Sequence, residues 1–332
     1  MKIKKEYIIL ILIIIVLSVY LYKRSANRTL YELPEIPQVS EKDLTKLEIT
    51  RGKTVLVLNK KDDQWFIAPA EFPTDANKVK DMLDVIKNFS LTALVSESKN
   101  YNLYELDEGQ KINVKASQGD DLKLDIDVGK TASSFRHTFV KPSGDERVFH
   151  AQGNLKNTFD VTVDALRDKT VLALKPADIQ QININKDQQS LAFTRTQVPV
   201  EVKAADAEKS TDPTPPAAPK LAWQAATGQP VNESTLNQLL NTLASLRCEK
   251  FIDGRKKEDF KSPLFTIELK GGQDDYLSIF AKAGENDPNY PAISSGSDYP
   301  FELSTSQVDR MMKEPSAFLQ LPETDQKKSE PE

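Results

Sequence analysis

The chain has 332 residues, 39% of them hydrophobic, with 44 basic against 49 acidic side chains and a formal net charge of −5. That length holds two domains of ordinary size, and the acidic balance disfavours polyanionic partners, nucleic acid above all. The lone Cys248 excludes an intramolecular disulfide and a thiolate metal cluster, and its place beside Leu246 reads as packing.

Residues 1–6 (MKIKKE) form a short basic tail, and residues 7–22 run YIILILIIIVLSVYLY without a charge. Such a run rises about 24 Å as a helix, a little under the roughly 30 Å of a bilayer core. Lys5, Lys23 and the tyrosines at both ends suit interfacial positions. A cleaved signal peptide is the competing reading, but its apolar core is about 7–15 residues and an A-x-A site should follow. The expectation is therefore one N-terminal transmembrane helix over 7–22. Lys2, Lys4 and Lys5 before it nearly balance Lys23, Arg24 and Arg28 after it, a slight bias toward a cytoplasmic N-terminus with the bulk of the chain outside. Without these flanks the remainder carries a net charge of about −10. Residues 23–43, with Pro34 and Pro37, read as a stalk.

Strand signals begin at Leu44. LTKLEIT, TVLVLNK and QWFIA are short β-branched and aromatic runs separated by Arg51-Gly52 and Asp62-Asp63, which is turn chemistry and predicts an antiparallel meander. After Pro73, with Thr74 or Asp75 as N-cap, Val79, Met82, Leu83, Ile86 and Phe89 keep helical spacing. INVKA and LKLDIDVG then alternate, placing Leu122, Leu124, Ile126 and Val128 on one face and leaving the other wet. HTFVK and RVFHA pair across Pro142-Ser143-Gly144-Asp145, and LKNTFDVTVDALRDK is a closing helical stretch.

About 150 residues later the same order recurs. SLAFTRT and LAWQAA precede Pro230 and the segment NESTLNQLLNTLASL, in which Leu236, Leu239, Leu240, Leu243 and Leu246 repeat the earlier spacing behind an Asn232 cap. FTIELK, YLSIFAKAG and YPFELST answer the later strands. The expected architecture is α+β: two tandem duplicated domains, 44–175 and 176–322, each an antiparallel sheet covered by one main helix. Residues 197–220, with five prolines and no apolar period, read as a disordered insertion in a hairpin, and 323–332 as a solvated tail.

Little in the chain points to chemistry. His137 and His150 would be metal ligands, or a base beside a carboxylate such as Asp145, only if the fold brings them together; two half-exposed strand residues is the plainer reading. Asp120, Asp121, Asp125 and Asp127 lack the loop pattern of a calcium site and read as the solvated face of an edge strand. Gly271-Gly272 reads as a hairpin turn, and Trp65 and Trp223 as core. No nucleophile elbow, zincin, Walker or dinucleotide motif is present. No catalytic, cofactor-binding or metal-binding residue and no cofactor is therefore expected.

The Trp strand, the Pro-led helix with its L-L-x-x-L core, the segments YELDEGQKINVKA and FKSPLFTIEL, and the LRDKTVLAL junction leading into DIQQININ together resemble DUF4340, a bacterial domain of unknown function. The likeness covers about 44–320, both copies, with the 197–220 insertion a departure from the compact hairpin. It implies a partner of ABC-2-type export or gliding-motility-like systems, and hence a single-pass inner-membrane protein with its bulk in the periplasm. The leading expectation is a non-enzymatic extracytoplasmic interaction module, an accessory of an ABC-type envelope transport assembly. The alternative is glycan or lipid binding between the copies, with Tyr101, Tyr104, Tyr290 and Tyr299 as candidate contacts. An envelope enzyme comes third and would need converging carboxylates.

Overall fold

The computed structural model describes residues 5–26, 31–187, 189–198, 220–284 and 286–320. The chain divides into two compact units, Met1–Asp168 and Lys169–Glu332.

The first unit begins with helix α1 (Lys5–Ala26). Its strands are β1 (Lys46–Arg51), β2 (Thr54–Lys61), β3 (Gln64–Ala68), β4 (Phe72–Pro73), β5 (Leu91–Ser96), β6 (Ile112–Gln118), β7 (Asp121–Thr131), β8 (His137–Pro142) and β9 (Val148–Gln152). They form one antiparallel sheet in the order β4-β3-β2-β1-β6-β7-β8-β9-β5. Alternation builds it: Leu47, Ile49, Leu56, Leu58, Val114, Ile126 and Val140 all face one core. The turns are those the sequence implies, with positive φ at Gly52 and at both Asp62 and Asp63. Helix α2 (Ala76–Lys87) follows β4; Asp75 caps it by accepting from the Asn77 amide at 3.1 Å, and Val79, Met82, Leu83 and Ile86 are buried. The short helices α3 (Leu155–Phe159) and α4 (Val163–Leu166) complete the cover. Val39 and Ile36, expected in a stalk, belong to this core.

The second unit opens with β10 (Thr170–Ala173), then β11 (Gln181–Lys186), β12 (Gln189–Val198), β13 (Lys220–Ala225), helix α5 (Glu233–Leu243), β14 (Ser245–Arg247), β15 (Lys250–Phe251), β16 (Phe265–Lys270), β17 (Asp275–Ile279), β18 (Asn289–Ser294), β19 (Phe301–Ser304) and helix α6 (Thr305–Met311). Eight of the strands form the sheet β13-β12-β11-β16-β17-β18-β19-β15, while β10 and β14 pair as a separate ribbon. Asn232 caps α5 through the Thr235 amide at 3.2 Å. Taken position by position, the eight-stranded order repeats that of the first unit without its β4.

Several expectations need correction. The chain is dominated by two large antiparallel sheets with few helices, not two domains each covered by a main helix. Nine strands spaced about 4.8 Å apart are roughly 40 Å across, whereas a twelve-residue helix is about 18 Å long and 10 Å wide, so α2 shields only part of the apolar face. The transmembrane helix over 7–22 also fails: among the described residues no helix is long and apolar enough to cross a membrane. α5 stops at Leu243, and Leu246 packs from strand β14 instead. Leu122 is 49% exposed, because a register shift between Ala116 and Ser117 turns it out of the apolar row. The N-terminal tail up to Lys4, most of the 197–220 insertion and the 323–332 tail lie outside the described residues.

Two outcomes follow from this packing. Leu83→Ala and Leu240→Ala should each lower stability by roughly 2–5 kcal/mol in denaturant titrations, while alanine at exposed Lys80 or Asn237 should change it by less than about 0.5 kcal/mol. Val198 and Lys220 are direct partners in the β12–β13 ladder, so replacing 199–219 with an Asn-Gly turn should leave the melting temperature within a few degrees of the parent.

Candidate functional site

The outer face of the first sheet carries a dense array of paired charges. Asn113 sits opposite Asp127, Lys115 opposite Asp125, and Asp127 opposite Lys141, so the ladder itself delivers these side chains to one another. Asp127 is only 5% exposed. It accepts from Asn113 Nδ2 at 2.9 Å and lies 3.1 Å from Lys141 Nζ and 3.4 Å from Lys111 Nζ. Asp125 accepts from the same amide at 2.9 Å and lies 3.7 Å from Lys115, while Lys111 also meets Glu108 at 2.6 Å. Burial works against the Lys111 charge, but Glu108 and Asp127 outweigh it and hold its pKa above the ordinary lysine value. With Glu48, Thr50 and Ser143 these residues line an open cleft of about 480 Å³. The solvated-edge reading is thereby corrected for Asp125 and Asp127, because β7 lies between β6 and β8 and Asp127 is an interior ion-pair centre, while Asp120 and Asp121 are exposed.

The two histidines do meet, beside this cleft. Their rings stack with centroids 5.4 Å apart, Phe139 lies 4.7 Å from His150, and Tyr104 lies 4.9 Å from Phe139. The Tyr104 segment approaches so closely that a Cβ on Gly129 would overlap the Tyr104 carbonyl oxygen. His150 Nε2 is buried without a hydrogen-bond partner. Loss of water, and then the neighbouring His137, hold its pKa below the ordinary 6.5. Asp145 does not serve either imidazole; it grips Arg147 at 2.8 Å, and that guanidinium lowers its pKa. Among the described residues no group of three or more His, Cys, Asp or Glu side chains could hold a metal.

A family model described as a domain of unknown function, DUF4340, matches residues 65–263. The chain belongs to the DUF4340 family. No curated protein and no solved structure matches it. The matched segment starts in β3 and stops ahead of β16, so it takes in parts of both units of this DUF4340 protein.

The remaining sequence candidates in the DUF4340 chain are mostly structural. Trp65 and Trp223 are buried in the two cores, the latter beneath the Arg195 guanidinium at 4.8 Å. Cys248 is buried. Gly271, in the β16–β17 turn, faces the Asp178 carbonyl so closely that no side chain fits. The four tyrosines split two to a unit. Tyr101 donates its hydroxyl to the Glu146 carbonyl at 3.0 Å, Tyr104 packs on Phe139, and Tyr290 lies under Lys282 at 4.7 Å. Tyr299, 38% exposed, meets Phe251 edge-on.

Removing Asp127 takes away the ion-pair partner of Lys141 and leaves Lys111 with Glu108 alone. Asp127→Ala should therefore cost on the order of 3 kcal/mol, whereas Lys115→Ala, at a long and half-open pair, should cost less than about 1 kcal/mol. For His150, whose folded pKa is depressed, the stabilising contribution is present above the unfolded pKa near 6.5 and is lost as pH falls from there through the folded pKa. Melting curves between pH 8 and 5 should show His150→Phe losing less stability over that window than the parent.

Proposed function

We propose that this DUF4340 protein is a non-enzymatic interaction module acting outside the cytoplasm, an accessory subunit of an ABC-type envelope transport assembly. The observation that carries the reading is the outer face of β1, β6, β7 and β8. There, fixed charges of alternating sign are held in register by their own ion pairs. A surface of this kind selects a partner by electrostatic complementarity and rejects mismatched ones, without any change in its own protonation. The exposed apolar side chains of α1, from Leu10 to Leu21, supply a second contact that would be satisfied against lipid or the apolar parts of such an assembly. We further propose that the chain is a tandem duplication, a reading supported by the repeated strand order. The outer-face chemistry of the two units would then have diverged while the scaffold stayed constant.

A second reading, binding of a glycan or lipid, is favoured by a depression of about 390 Å³ in the second unit, lined by Leu174, Ile179 and Ala244 with Lys175, Asp178 and Gln273 at its polar side. Affinity capture of the full chain from detergent-solubilised membranes separates the two. Recovery of an ABC permease that is reduced at least tenfold by Lys115→Glu, with folding intact, supports the interaction module. A co-purifying small molecule identified by mass spectrometry, with no permease, supports the second reading instead.

A further inference from the structure

Because the two sheets run in the same order, the connection from β5 to β6 corresponds to that from β15 to β16. Their electrostatics are opposite. In the first unit the cations of this connection are paired: Lys99 with Glu146 at 2.5 Å, where Tyr101 seals onto the Glu146 carbonyl, and Lys111 with Glu108 and Asp127. In the second unit the connection carries three successive cations, Arg255, Lys256 and Lys257. None of them forms an ion pair with a carboxylate among the described residues. The Arg255 guanidinium lies 4.1 Å from the centre of the Phe260 ring and 3.5 Å from the Asp259 carbonyl. Lys257 Nζ donates to the Ser294 carbonyl at 2.7 Å and lies 5.9 Å from the Tyr276 ring. Rings and carbonyls fix a cation in place without cancelling its charge.

These three residues line a depression of about 380 Å³ together with Glu258, Asp298 and Tyr299. Glu258 and Asp298 form no ion pair with the cations among the described residues, and Lys257 is partly withdrawn from water. Loss of water holds its pKa below the ordinary lysine value, with Asp298 and Glu258 offsetting part of the effect. Lys257, partly desolvated, stands with exposed Arg255 and Lys256 beside it, and Glu258 and Asp298 compensate it only in part, so a bound anion stabilises the group. A carboxylate brings one charge. A phosphate group brings about −1.5 to −2 at neutral pH and three acceptor oxygens, which suits one guanidinium fork and two ammonium groups.

We propose that this depression is a binding site for a phosphate-bearing ligand, held by Arg255 and Lys257 with Lys256 at the rim and Tyr299 against the rest of the molecule. The site is independent of the charged face of the first unit, so either assignment can fail alone. The phosphate belongs to a soluble phosphorylated compound or to a lipid headgroup, and the test distinguishes them.

The full chain is titrated at low ionic strength with inorganic phosphate by calorimetry, and separately sedimented with phosphatidylcholine vesicles with or without phosphatidylglycerol. Saturable phosphate binding weakened at least tenfold by the Arg255→Gln/Lys257→Gln double variant, but not by Lys99→Gln, supports the site and a soluble ligand. Sedimentation that rises with phosphatidylglycerol and loses that rise in the double variant, without saturable phosphate binding, supports a headgroup. Bound phosphate should also protect Lys257 from acetylation, read by mass spectrometry. If the double variant melts early, Lys256→Gln, at an exposed side chain, replaces it and should weaken binding about threefold. Absence of binding to both probes, or binding that these variants leave unchanged, overturns the proposal.

Discussion

Antiparallel strand pairing is the constraint on which both units depend. In each ladder a residue's neighbours across the strand are fixed by register, and its face is fixed by parity. One parity in the first unit collects Leu47, Leu58, Val114, Ile126 and Val140 into a core; the other collects Glu48, Asn113, Lys115, Asp127 and Lys141. Neither set could change faces without the other, since a slip of one residue would bury the charges and expose the core. The helices are secondary to this. They cover part of one face and owe their burial to the sheet they lie on.

The same constraint explains how two units of one strand order can present different chemistry. Asp127 stands where the second unit has Ser278, and Asn113 where it has Thr266, as the matching registers require. A neutral hydroxyl pair, Thr266 and Ser278, stands in place of Asn113 and Asp127, and the scaffold is unaffected because these positions lie on the outer face. Charge in the first unit is neutralised where it stands, at Asp127 by two lysines and at Lys99 by Glu146. In the second unit Arg255 and Lys257 are steadied by rings and carbonyls, which leaves their charge available to a ligand.

Much of the local structure was legible in the sequence. Turn residues, caps and short periods act over a few positions: Asp62-Asp63 made a turn, Asp75 and Asn232 capped helices, and Trp65 and Trp223 went inside. Strand β5 was missed because LTALVS gains its identity by pairing with β9, more than 50 residues away, through a ladder with two register shifts. The same non-local closure carried Leu246 out of the helical stripe and into β14. The apolar run at the N-terminus suggested a spanning helix, a reading that no described helix supports.

Composition and periodicity by themselves determined that the chain is acidic, strand-rich and repeated in its order of elements, because those properties depend on residue type and near neighbours. Tertiary structure alone decided the breadth of the two sheets, the burial of Asp127 between two lysines, the stacking of His137 on His150, and the seating of Lys257 on the Ser294 carbonyl. Each of these is a distance between residues remote in sequence, set by which strands pair and in what register. Spacing along the chain carries no information about that until the ladders close.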